Sequence, residues 1–135
     1  MSAMSRRTGA RGTGLLVLGL LAATGAFAAD PILSPGLRFS EQTGEALYAN
    51  VCQACHMAKG EGATGAGQYP ALAGNPRLET GALAIYVILH GQAAMPPFGR
   101  LMTDQQVAAV VNYMRTHFGN NFQEPVTVEE VRKAR

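Results

Sequence analysis

The sequence predicts an all-α protein of three main helices joined by long Gly/Pro-rich loops. Three observations carry this. Apolar residues recur at helical spacing in separate stretches. Thr103 with Gln106 and Thr127 with Glu130 form capping-box patterns ahead of helical text. No run alternates apolar and polar residues with the period of a strand, and no internal repeat is present.

At 135 residues, 47% of them hydrophobic and none Trp, the chain suffices for one small domain with appendages. Cores of this size commonly need a cross-link or a cofactor. Residues 1–28 read as a secretory signal peptide. Arg6, Arg7 and Arg11 make a basic start, an apolar run over 15–23 is too short to span a bilayer comfortably, and Ala26-Phe27-Ala28 supplies a cleavage pattern. Cleavage after Ala28 or Ala29 would leave a periplasmic protein with no transmembrane segment; the alternative is an uncleaved membrane anchor. Three of the 11 basic residues lie in this segment, so the remainder carries 8 basic against 9 acidic residues, a charge of −1. No basic patch remains to suggest a nucleic-acid partner.

Residues 29–39 form an irregular lead-in with Pro31, Pro35 and Gly36. A domain over 40–119 follows. Ser40 or Thr43 can cap the first helix, which runs through Ala46, Leu47, Ala49, Asn50 and Val51 into Cys52. Residues 57–76 hold five Gly and two Pro and read as loop. Residues 81–90 (GALAIYVILH) form a second helix, apolar nearly all round and therefore expected to be buried on most sides, with Gly91 as its stop. GQAAMPPFGR is a loop stiffened by Pro96 and Pro97. The third helix opens at Thr103, repeats Val107, Val110, Val111 and Met114, and ends at Gly119. The tail 120–135 carries a short helix after Thr127. Twenty structureless residues between helices are reasonable in a compact domain when the loop wraps a large cofactor.

Both cysteines lie in VCQACHMAKGEG, residues 51–62. A redox dithiol of this spacing belongs after a strand in a βαβ unit, and no strand signal is present. A structural zinc site needs four ligands; only His56 adjoins, and His90 and His117 lack finger-like spacing. A disulfide between i and i+3 gains little and leaves His56 unexplained. Cys-x-x-Cys-His is the attachment signature of haem c. Cys52 and Cys55 share one face of a helical turn, so both thiols can add to the vinyl groups on one porphyrin edge, while His56 reaches iron through Nε2. This reading uses every cysteine and agrees with export.

On these residues the chain resembles the class I cytochrome c family over about residues 40–119. Gly44 and Tyr48 stand eight and four positions before Cys52, where the family has a Gly and an aromatic. Val110-Val111-Asn112-Tyr113-Met114 resembles the family's C-terminal helix, whose aromatic packs on that Gly. The resemblance implies three main helices and Gly/Pro-rich loops wrapped round one covalent haem c. Tyr69-Pro70-Ala71-Leu72-Ala73-Gly74 is similar to the loop whose proline carbonyl accepts the axial histidine's Nδ1–H, so Pro70 would orient His56. Met95 in AAMPPFG resembles the family's Met-Pro loop and would be the second axial ligand of the iron. His90 is the alternative. Met57 adjoins His56 on the wrong side, Met102 and Met114 are expected to pack in the core, and His117 is expected at the surface.

Imidazole plus thioether ligation raises a reduction potential, and a six-coordinate iron leaves no open position for a substrate. The implied protein is an electron carrier with no catalytic residues. If Met95 is not bound, a five-coordinate haem protein, a gas sensor or peroxidase-like, is the alternative. YPALAGNP, HGQAAMPPFG, TDQQVAAVVNYMRTHFGN and the tail PVTVEEVRKAR resemble, in that order, haem domains of bacterial periplasmic dehydrogenase cytochrome subunits. The implied partners are a quinoprotein, flavoprotein or molybdenum dehydrogenase and a terminal oxidase or other cytochrome. Gln53, Ala54, Met57, Ala58, Ala93, Ala94, Pro96, Pro97 and Phe98 are expected to flank the haem edge. None is charged and Lys59 is the nearest cation in sequence, so docking should be apolar and weakly salt-dependent. The tail either docks on a partner or closes over its own domain.

Overall fold

The computed structural model describes residues 38–65 and 67–135; the expected signal peptide and most of the lead-in lie outside the described residues. The first helix begins where Thr43, rather than Ser40, caps it: Thr43 Oγ1 accepts from the Ala46 amide at 3.2 Å. Helix α1 (Gly44–Leu47) passes into a π-turn over Tyr48–Cys52 and then α2 (Gln53–His56). The run therefore carries both cysteines and ends on the histidine. Single π-turns of this kind concentrate at functional sites.

Beyond His56 the chain reverses through Met57 (φ 66), Gly60 (φ 69) and Gly62 (φ 68). The expectation of a strandless chain needs correction. Ala63–Thr64 (β1) and Gln68–Tyr69 (β2) pair antiparallel, Ala63 opposite Tyr69. Strands of two residues are too short to leave an alternating pattern. Asn75 then caps a 3-10 turn over Pro76–Leu78, its Oδ1 accepting from the Arg77 amide.

Helix α3 (Gly81–His90) stops at Gly91, whose φ of 76 breaks the helix. It is not buried on most sides: Leu83 is 42% and Tyr86 57% exposed. The reason is that α3 stands between two apolar surfaces. Ala84, Ile85, Ile88 and Leu89 pack into the core, while Leu83 and Val87 line a cavity on a neighbouring face. Tyr86 lies outside both, its ring 4.7 Å from that of His90.

Helix α4 (Asp104–Thr116) has both arms of its capping box. Gln106, only 2% exposed, also donates to the carbonyls of Phe39 and Glu41, fastening the approach to α1. The helix ends at Thr116, three residues before Gly119; Phe118 (φ 58) and Gly119 (φ 79) make the turn beyond it. α1 crosses α4 so closely that a Cβ on Gly44 would overlap Ala109 O and come within 2.6 Å of Tyr113 Cβ. Around this crossing Leu47, Val107, Val110, Val111 and Val131 are wholly buried.

The tail closes over its own domain. Asn112 pairs with the Val126 backbone through both side-chain atoms, at 2.9 and 2.7 Å. Val126 fills the space that a side chain on Gly81 would need. Arg115 is buried and donates to the carbonyls of Leu78, Glu79 and Glu124. Helix α5 (Val128–Lys133) then presses Val131 into the core.

Candidate haem-binding site

Cys52, Cys55, His56, Pro70 and Met95 all line one cavity of about 390 Å³. Close-packed interiors leave few voids larger than a water molecule; a cavity of this size in so small a domain is on the scale of a cofactor site. Leu72, Leu83, Val87, Ile88 and Phe98 make its walls largely apolar. Two thiols and an imidazole on an apolar cavity are the donor set that covalent attachment and ligation of a haem require, so the residues present fit the group.

His56 is 8% exposed, and its Nδ1 lies 2.9 Å from Pro70 O. A carbonyl only accepts, so Nδ1 carries the proton and the Nε2 lone pair is free for a metal. Three contacts place the Pro70 carbonyl. The Gly62 amide donates to His56 O at 3.0 Å, and the amides of Leu72 and Ala73 donate to Gly60 O at 2.7 and 2.9 Å. Gly62 must be glycine: its φ is +68, and a Cβ there would overlap Tyr69 O and stand 2.8 Å from the Pro70 carbonyl carbon. Asn120, 7% exposed, holds the far end of the loop. It donates to Leu72 O and Met114 O and accepts from the Asn75 amide.

Burial pushes the Cys52 thiol up to about 12, with the neighbouring Cys55 adding to the shift. Reactive dithiols have depressed values, so Cys52 is unlike a redox nucleophile. The two thiols are not joined to each other. Among the described residues no group of three His, Cys, Asp or Glu could hold a metal ion, and no βαβ unit is present. The zinc, disulfide and dithiol readings of the motif therefore have no support in the fold.

Met95 is half-buried in a loop with little freedom. It exchanges backbone hydrogen bonds with Gln92 at 2.9 and 3.0 Å, and Gly91 (φ 76) passes so close that a Cβ would sit 2.7 Å from Met95 O. Phe98 and Gly99 amides donate to the Ile88 and Leu89 carbonyls, closing the end of α3. Met102 and Met114 are core residues, 3% and 4% exposed, yet they also line the cavity. His90, His117 and Met57 do not. His90 Nε2 is 3.1 Å from Ala134 O, and His117 stacks on Tyr113 with ring centres 4.1 Å apart. Of the residues expected at the haem edge, Ala93, Ala94, Pro96 and Phe98 line the cavity; Gln53, Ala54, Met57, Ala58 and Pro97 do not.

Arg77 and Asn120 escape sequence reasoning. Arg77 is exposed and is the one Lys or Arg side chain on the cavity wall among the described residues. It lies 21 positions after His56, and only its place after the GNP turn could have flagged it. Asn120 gives no signal, because two of its three partners, Asn75 and Leu72, are 45 and 48 residues away.

Comparison with known proteins identifies the family. Residues 40–114 match the family described as cytochrome c oxidase, cbb3-type, subunit III. The chain is 37% identical over 109 residues to the fructose dehydrogenase cytochrome subunit of Gluconobacter japonicus, covering 68% of this chain and 22% of that protein. It is 36% identical over 109 residues to the gluconate 2-dehydrogenase cytochrome c subunit of Pantoea cypripedii (70% and 24%). To the cytochrome c subunit of the quinone alcohol dehydrogenase of Gluconacetobacter polyoxogenes it is 35% identical over 105 residues (68% and 22%). The chain thus spans less than a quarter of the length of the curated relatives it matches. With its Cys-x-x-Cys-His anchor on a large apolar cavity, the chain belongs to the c-type cytochrome family, a mostly helical electron-carrier domain whose cofactor is covalently bound haem c.

Proposed function

We propose that this domain carries one electron at a time in the periplasm, taking it from a dehydrogenase and passing it towards a terminal oxidase or another cytochrome. The observation that carries the reading is the convergence of Cys52, Cys55, His56 and Met95 on a single apolar cavity. Haem c supplies a one-electron Fe(II)/Fe(III) couple. Cys52 and Cys55 would tether it through thioethers, so that a small domain would not lose it. His56, held in its Nδ1–H tautomer by Pro70 O, would offer Nε2 to the iron on one side, and Met95 would offer its thioether on the other. The helical run over 44–56, α3 and α4 would be the three main helices of a class I arrangement around it.

The roles of the remaining residues follow from their positions. Leu72, Leu83, Val87 and Phe98 exclude water, which favours the less charged ferrous state. Ala93, Ala94 and Pro96 are exposed on the cavity rim and bring an uncharged surface to a partner. The printed names of the relatives support a dehydrogenase as donor: a fructose, a gluconate or an alcohol dehydrogenase in those proteins. Export rests on the basic start, apolar run and Ala26-Phe27-Ala28 of the sequence; among the described residues no helix is long and apolar enough to cross a membrane.

The test is reduction of the purified haem-loaded protein by a quinone-type alcohol dehydrogenase, followed by stopped-flow absorbance at two salt concentrations. Rapid reduction that slows less than about tenfold between low and high salt supports the carrier with an uncharged docking edge. Rapid binding of CO by the reduced protein, without electron transfer, supports a five-coordinate sensor or peroxidase-like protein instead.

A further inference from the structure

The loop bearing Met95 has two feet. One is His90, the last residue of α3; the other is the stretch Gly99–Met102 that leads into α4. Two consecutive residues of the tail reach both. Ala134 offers its carbonyl to His90 Nε2 at 3.1 Å. Arg135 donates Nη2–H to Met102 O at 2.8 Å, Nη1–H to Gly99 O and Nε–H to Asp104. A guanidinium has five donors in a fixed plane, so one side chain can hold three acceptors at once.

We propose that Ala134 and Arg135 form a strap that clamps both feet of the Met95 loop and keeps the thioether at the iron. The inference rests on Met95 being the second axial ligand. Three features make it more than a packed tail. Val131 is fully buried, so α5 is anchored and its end has a fixed position. The Asp104 carboxylate at the start of α4 pairs with Arg135, which fixes the guanidinium over the second foot. Backbone bonds stiffen the tip of the loop, Gln92 with Met95, and join its base, Phe98 and Gly99 with Ile88 and Leu89; the strap adds side-chain and carbonyl contacts to that base from the tail. Arg135 is therefore a positioning residue for the sixth ligand although it does not line the cavity.

Exogenous imidazole binds the ferric iron of such a protein only when the methionine has left, so its apparent affinity scales with the fraction of open loop. The experiment measures imidazole binding to the ferric, haem-loaded full chain and to three variants, alongside thermal unfolding. Arg135→Gln removes the charged donors and should tighten imidazole about tenfold, the effect of losing one charge-assisted hydrogen bond that acts on the closed state. His90→Phe keeps the ring on Tyr86 but loses the donor, and should tighten it about threefold. Arg132→Gln is the control. Arg132 pairs with Glu129 and lies 3.9 Å from Asp104 but touches neither foot, so its imidazole affinity should stay at the wild-type value. Unchanged affinity in both Arg135→Gln and His90→Phe overturns the strap. So does equal tightening in Arg132→Gln, which would mark general loosening of the tail. A wild-type protein without the Fe–S(Met) charge-transfer band overturns the ligand reading itself, independently of the variants.

Discussion

The phenol of Tyr48 donates a hydrogen bond to the carbonyl of Met57, nine residues on, at 2.7 Å. Met57 sits at φ 66 and ψ 163, a region that side chains other than glycine occupy only under restraint. Tyr48 supplies that restraint at the point where the chain leaves His56. Tyr48→Phe should destabilise the domain by about 1 kcal/mol, the net worth of a part-buried hydrogen bond, measured by denaturant unfolding. Burial pushes the Tyr48 hydroxyl from 10.0 up to about 12, with Glu61 adding to the shift. The folded state thus favours the protonated phenol. This contribution is complete below pH 10 and is lost as the pH rises towards 12, and the loss should be absent in Tyr48→Phe.

At the helix crossing, alanine is the better helix former by about 1 kcal/mol, yet Gly44→Ala should destabilise. Its Cβ would overlap Ala109 O and press on Tyr113 Cβ. We expect a loss of about 3 kcal/mol, the upper range for overpacking a tight contact, and a lower yield of haem-loaded protein. Thermal unfolding of the loaded protein checks this.

Gly62→Ala acts on His56 from a distance. The added methyl would meet Tyr69, Pro70 and Ala71 backbone atoms in a conformation that L residues avoid. The Pro70 carbonyl must move, and with it the hydrogen bond that orients the imidazole. The expected outcome is a shifted reduction potential together with a stability loss of about 2 kcal/mol, read by spectroelectrochemistry and unfolding. A stability loss with an unchanged potential would mean that Pro70 O does not tune His56.

Arg77→Gln should lower the reduction potential. A cation on the cavity wall favours the state of lower positive charge, which is the reduced one. Through a partly hydrated path the effect is on the order of a few tens of millivolts. Spectroelectrochemical titration should find it larger at low salt than at high salt, because Arg77 is exposed.

The parts of this structure that are legible in the sequence are those whose partners are close along the chain. Thr103 with Gln106 and Thr127 with Glu130 are capping boxes in both sequence and structure. Gly91 ends α3, and the period of Val107, Val110, Val111 and Met114 marks the buried face of α4. Gly44 beside Tyr113 is accessible only through family resemblance, because nothing local says which helix a glycine meets. Leu83 and Tyr86 mislead: a uniformly apolar helix implies burial in a core, whereas Leu83 faces a cavity and Tyr86 lies outside both core and cavity. The hairpin at Ala63–Tyr69 escapes because its strands are two residues long, and the roles of Asn120, Arg115 and Arg135 escape for another reason. Each of these three depends on bonds between chain segments far apart, chiefly side chain to backbone carbonyl, which leave no periodic trace.

The ferric absorption spectrum of the haem-loaded protein, compared with that of Met95→Ala, tests the central claim most directly. The account predicts the weak Fe–S(Met) charge-transfer band in the wild type, its loss in Met95→Ala, and covalent haem in both after denaturation. A wild-type spectrum lacking that band, or one that survives Met95→Ala because Met102 or Met114 serves instead, would contradict it.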